Sequence, residues 1–142
     1  MNRKRFTIAA CALSACVALG GPALAEKMTM KVTLNGASSV PPNTSAGTGT
    51  ADVNFDTVTK MLTWKVNYSG LSGPATMAHF HGPAEPGKNA GVAVPFKDPA
   101  SGAEGSAALT DAQAADLMAG KYYINVHTAA NPGGEIRGQV TK

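Results

Sequence analysis

Ala51-Asp52-Val53-Asn54-Phe55, a turn from Asp56 to Lys60, and then Leu62-Thr63-Trp64-Lys65-Val66-Asn67-Tyr68 decide the fold. Apolar and polar residues alternate through both runs. Successive side chains of a strand point to opposite faces, so each run is a strand with one apolar face, and the turn makes them an antiparallel hairpin. Such a hairpin needs a second layer over its apolar side, which makes Trp64 a core residue.

The same period recurs outward from the hairpin. Met28, Met30, Val32 and Leu34 alternate with Thr29, Lys31 and Thr33, giving a half-buried strand. The stretch from Asn35 to Gly47 holds Pro41-Pro42 and reads as a loop. Beyond a turn at Gly70 to Pro74, Ala75 to His81 is a strand, and Gly82 to Asn89 is a loop. Val92, Val94 and Phe96 suggest a strand that Pro95 confines to an edge or a bulge, and Gly102 to Leu109 is a weak strand candidate.

The helix signal is Thr110 to Ala119. Thr110 and Gln113 form a capping box, Leu109, Leu117 and Met118 are placed to pin the helix to the core, and Gly120 suits a left-handed stop. Lys121 to Thr128 and Gly134 to Val140 complete the strands. Seven or eight short strands with one short helix near 110–119 predict an all-β β-sandwich.

The N-terminus reads as an export signal. Arg3, Lys4 and Arg5 precede an uncharged run from Phe6 to Ala25 that ends in Ala23-Leu24-Ala25. The expectation is a signal peptide over 1–25, a single domain over 26–142, and a periplasmic or secreted protein. Leu13-Ser14-Ala15-Cys16 offers an alternative, a lipoprotein anchored through Cys16. Both cysteines, Cys11 and Cys16, lie in this segment, so residues 26–142 have no thiol for a disulfide or a cysteine-based metal site. The chain carries a net charge of +3, and the three basic residues of the signal account for it. A neutral domain gives no electrostatic argument for a nucleic-acid partner. No apolar segment after the signal approaches the ~20 residues of a transmembrane helix.

Three histidines carry the chemistry. His79 and His81 are two apart on a strand and share a face, with Met77 beside them; Ala78 and Phe80 point to the core. On the later strand Tyr122, Ile124 and Val126 form the apolar side, placing Tyr123, Asn125 and His127 opposite. A His-x-His pair on a strand is a natural bidentate metal pair. A third imidazole from a neighbouring strand would complete a surface site suited to copper or zinc. The alternation does not make the two strands neighbours, and histidines on strands often only bond carbonyls. Met77, Glu135 and Arg137 are the accessory candidates, with Arg137 read first as a tie to a carboxylate or to loop carbonyls. No nucleophile elbow, phosphate loop or paired-carboxylate site is present, so no catalytic residue is assigned.

Ala78-His79-Phe80-His81-Gly82-Pro83-Ala84, Leu109-Thr110-Asp111 with Leu117-Met118-Ala119-Gly120-Lys121-Tyr122-Tyr123, and Tyr123 to Thr128 followed by Asn131-Pro132-Gly133-Gly134-Glu135-Ile136-Arg137-Gly138-Gln139 resemble the motifs of the CHRD (chordin) domain family. The resemblance implies an immunoglobulin-like or superoxide-dismutase-like Greek-key sandwich and, for a bacterial single-domain member, an exported protein. The growth-factor antagonism of animal chordin does not carry over with it. His79-Phe80-His81 is similar to the strand pair of copper ligands in copper/zinc superoxide dismutase. Three histidines without cysteine cannot reproduce that enzyme's two metal subsites, so an oxidoreductase is the least supported reading. The expected partners are a metal ion or an envelope or extracellular protein.

Overall fold

The computed structural model describes residues 26–142. Residues 1–25, where a signal segment and its cleavage site are expected, and Cys16 with them, lie outside the described residues.

Eight strands form one antiparallel sheet: β1 (Lys27–Asn35), β2 (Thr48–Asp56), β3 (Met61–Ser69), β4 (Ala75–His81), β5 (Val92–Pro95), β6 (Glu104–Ala108), β7 (Tyr122–Thr128) and β8 (Ile136–Val140). Their order is β5-β4-β7-β8-β1-β2-β3-β6. β1 and β8 pair only at Asn35 and Arg137. At that narrow seam the sheet divides into two four-stranded halves that close over a shared core, the sandwich expected from the sequence. After the β4–β5 hairpin the chain returns to lay β6 beside β3, and then β7 beside β4, which is Greek-key connectivity.

The β2–β3 hairpin pairs Phe55 with Leu62 and Val53 with Trp64, so the alternating apolar residues share one face. Trp64 is buried there. Its ring stacks on Phe96 at 4.8 Å and meets Phe80 edge-on at 5.1 Å, tying β3 of one half to β4 and the end of β5 in the other. Gly105 of β6 lies against the Trp64 indole where any larger residue would collide. The weak strand candidate therefore has no side chain at its middle for a packing reason. β5, with Pro95, is an edge strand, and β6 is the other edge.

Between them α1 (Asp111–Met118) starts on the expected capping box, Gln113 N–H donating to Thr110 Oγ1 and Thr110 N–H to Gln113 Oε1. It ends at Gly120, whose φ of 74° is the left-handed stop. Leu109, Ala114 and Leu117 are buried, but Met118 is 39% exposed. Met118 follows the buried Leu117 directly, so it points about 100° away around the helix axis and does not help to pin it. Gln113 does so instead, donating to the Ala93 carbonyl.

β7 departs from the usual alternation. All seven of its residues are buried. One face meets the core. The other is covered by three loops, 36–47, 82–91 and 129–135, which fold over the outer face of β4, β7 and β8. The candidate site lies beneath these loops.

Candidate metal centre

β4 and β7 are paired neighbours, with His79 opposite Asn125, His81 opposite Tyr123 and Met77 opposite His127. The register that the sequence left open therefore places His127 diagonal to His79 on one face. His79 packs edge to face on both other imidazoles, with ring centres 5.3 Å apart for His79 and His81 and 5.1 Å for His79 and His127, while His81 and His127 are tilted to each other at 5.8 Å. One nitrogen from each of the three lies within 4.8 Å of the other two.

The site differs from the surface site expected. The rings do avoid the core, but the loops roof them, so His81 and His127 are buried and His79 is partly exposed. Alternation reports which side of a sheet a residue faces and carries no information about loops folding over that side.

Those loops also orient the rings. His81 Nδ1 lies 3.0 Å from the Ala90 carbonyl and His127 Nδ1 2.9 Å from the Pro132 carbonyl. A carbonyl only accepts, so both Nδ1 atoms carry protons and both Nε2 atoms present lone pairs. His81 Nε2 is buried with no partner. His127 Nε2 accepts from His79 Nδ1 at 3.3 Å. Burial depresses the His79 and His81 pKa values, helped at His79 by the neighbouring His127 and His81 and at His81 by His127 and Arg137; the Ala90 carbonyl opposes this at His81. Near neutral pH these two imidazoles are uncharged, the form that binds a metal.

The donor set fits a transition metal. Bonds of ~2.0–2.1 Å to a tetrahedral centre place ligand nitrogens about 3.3 Å apart. His79 Nδ1 and His127 Nε2 already lie at that separation, and with the His79 proton on Nε2 instead, Nδ1 offers its lone pair beside that of His127. Both Nδ1–H···O=C bonds are the outer contacts that fix a ligating imidazole's tautomer and direction. A further oxygen, Asn125 Oδ1 on the same face, is buried without a partner.

The accessory candidates separate. Met77 is 48% exposed and faces outward opposite His127, so it does not pack in the core. Glu135 is fully buried, and its carboxylate accepts from Ser45 Oγ (2.6 Å), Ser72 N (2.7 Å), Ser72 Oγ (2.6 Å) and Thr128 Oγ1 (2.5 Å). Burial alone would raise its pKa, but these donors outweigh it and hold the group down at about 2. None of these bonds goes to an imidazole.

Arg137 does tie loop carbonyls, as read from the sequence. Its Nη2 donates to the Lys88 carbonyl at 2.7 Å and its Nη1 to Asn89 Oδ1 at 3.1 Å. Its guanidinium also lies 3.5 Å over the Tyr123 ring, whose other face stacks parallel on His81 at 4.9 Å. Arg137 thus reaches the histidines through Tyr123. The sequence reading set Tyr123 on the correct face but gave it no part. The signal was available, since an aromatic residue at i, i+2, i+4 spacing with Asn125 and His127 belongs to the same surface.

Eight antiparallel strands in a Greek-key arrangement, with three convergent imidazoles under a loop roof, define a small β-sandwich with a candidate nitrogen-donor metal centre. The CHRD domain model matches residues 30–140, and the chain belongs to the CHRD-domain family. No curated protein and no solved structure matches it. Among the described residues no helix is long and apolar enough to cross a membrane.

Proposed function

We propose that this protein is an exported CHRD-domain protein of the cell envelope that binds a single transition-metal ion, copper in preference to zinc, through His79, His81 and His127. The observation that carries the reading is the unpartnered, buried His81 Nε2, aligned by its own Nδ1 bond, beside two other imidazole nitrogens within 4.8 Å. A buried ring acceptor without a donor costs ~1–3 kcal/mol, and a metal ion removes that cost. Copper(II) forms the strongest complexes of the divalent first-row ions with such nitrogen ligands. Three ligands leave coordination positions open, and the exposed Met77 thioether at the rim suits the reduced ion. Sequestration or delivery follows more readily than catalysis, since among the described residues no second metal subsite or positioned acid–base pair accompanies the histidines.

A second reading treats the histidines as loop ties. The bonds from His81 and His127 to Ala90 and Pro132, and the His79–His127 contact, favour it. The domain would then be a metal-free structural or protein-interaction module. Titration of Cu(II) into chelator-treated residues 26–142 separates the two. The metal reading expects one equivalent bound and at least tenfold weaker binding in His81→Ala and in His127→Ala. Unchanged affinity in folded variants would remove the assignment.

A further inference from the structure

Arg137 is a buried cation without a counter-ion. It is 2% exposed, and among the described residues no carboxylate lies within ion-pair distance of it. Glu135, two residues earlier in the chain, is bonded to Ser45, Ser72 and Thr128 instead. The Arg137 Nη atoms are taken by the Lys88 carbonyl and by Asn89 Oδ1, both neutral, so the charge itself is not cancelled.

That charge faces the Tyr123 ring, 3.5 Å from the guanidinium carbon. On the opposite face of the ring His81 stacks at 4.9 Å, parallel to within 3°. Ala90 holds the two rings in this alignment. Its carbonyl accepts from His81 Nδ1 (3.0 Å) and from the Tyr123 hydroxyl (3.3 Å), and its N–H donates to that hydroxyl oxygen (3.1 Å). Tyr123 and His81 are both buried, so solvent screens the charge little along this column. Burial is the first cause of the lowered His81 pKa, and repulsion by Arg137 adds to it.

The column ends on a ligand set with no charge of its own. The cluster is three imidazoles, with no carboxylate or thiolate among them. An ion held there would keep its full charge in a buried site, beside a fixed positive charge. A singly charged ion loses less on both counts than a doubly charged one. Burial and nearby charge are the means by which a protein sets the potential of a redox metal.

We propose that the Arg137–Tyr123–His81 column biases the three-histidine centre towards cuprous over cupric copper. The inference rests on the copper reading above and names the oxidation state that the centre favours. Arg137 touches no ligand nitrogen and acts through Tyr123. The protein neither gives nor takes an electron, because the bias is a ratio of two binding constants. For a one-electron couple, a tenfold change in that ratio moves the reduction potential by about 59 mV.

The test measures both affinities on chelator-treated residues 26–142. Cu(II) is competed against a chelator in air, and Cu(I) against a cuprous chelator under nitrogen with ascorbate as the reductant. The wild-type protein should bind Cu(I) at least tenfold more tightly than Cu(II). Asn89→Asp sets a carboxylate where the amide oxygen already meets Arg137, at an exposed loop position, and should lower the ratio at least threefold. Asn89→Ala loses the same bonds to Arg137 and to the Val40 carbonyl without adding charge, and should not lower it. Arg137→Met, where circular dichroism shows it folded, should lower the ratio at least tenfold. A wild-type preference for Cu(II), an unchanged ratio in Asn89→Asp, or an equal fall in Asn89→Ala would each overturn the bias and leave the copper centre standing. Failure of the wild-type protein to bind either ion would remove the copper centre and the bias together.

Discussion

Glu135 shows how one buried carboxylate can hold a loop system together. Its four bonds join the loop at Ser45, the turn at Ser72 and the end of β7 at Thr128 to the start of β8. Replacing it with Gln keeps the shape but removes the charge and leaves hydroxyl donors without full acceptors. We expect Glu135→Gln to lose about 2 kcal/mol in urea unfolding at pH 7. The pH dependence has a definite sign. The folded-state pKa of about 2 lies below the ordinary 4.5, so the stabilisation is fully present above the ordinary value and is lost as pH falls towards 2. Wild-type stability should therefore drop between about pH 5 and pH 2 more steeply than that of Glu135→Gln. Parallel slopes in the two proteins would show that the carboxylate is not the titrating group.

Among the elements, β7 and the turn after it position the site, and two substitutions separate their parts. Gly134 has a φ of 120° and packs directly on the Asn125 amide, so an added Cβ meets both backbone strain and a collision. Its turn also supplies the Pro132 carbonyl that aligns His127. Gly134→Ala is expected to lose 1 kcal/mol or more, on the order of the usual cost of such strain, and to weaken Cu(II) binding. Thr110→Ala breaks the capping box of α1, away from the histidines. It should lose about 1 kcal/mol and leave Cu(II) affinity unchanged. Urea unfolding and metal titration of both proteins check this; equal metal affinities would detach the turn from the site. These elements also mark what the sequence could reveal. The face of every histidine followed from alternation, because a strand's period is set by its backbone. The β4–β7 pairing did not follow, because adjacency depends on where long connections return. The roof over β7 was equally hidden, since loops 82–91 and 129–135 are held by isolated side-chain bonds, such as those to Ala90, Lys88 and Pro132, that leave no periodic trace.

Across the whole molecule, the two halves of the sheet meet through apolar packing at Trp64, Phe80 and Phe96, while the metal candidate sits on the outer face of one half. The core was legible because its residues are the apolar members of alternating runs. The histidine cluster was legible only as a set of residues, and its convergence required the fold. This separation makes a global measurement informative about a local site. A ligand that binds the folded state and not the unfolded chain stabilises it by about 2.7 kcal/mol at one hundred times its Kd. The unfolded chain spreads His127 forty-six residues beyond His81, so three-point binding exists only in the native state. For a domain of this size the gain raises Tm by on the order of 10 °C. Cu(II) should produce that rise in the wild-type protein, and a chelator should reverse it. His81→Ala removes one ligand but keeps the Trp64 core, so its metal-free Tm should stay close to wild type while the copper-induced rise disappears. A rise that persists in His81→Ala would mean that the ion binds elsewhere, and the three-imidazole centre would have to be abandoned.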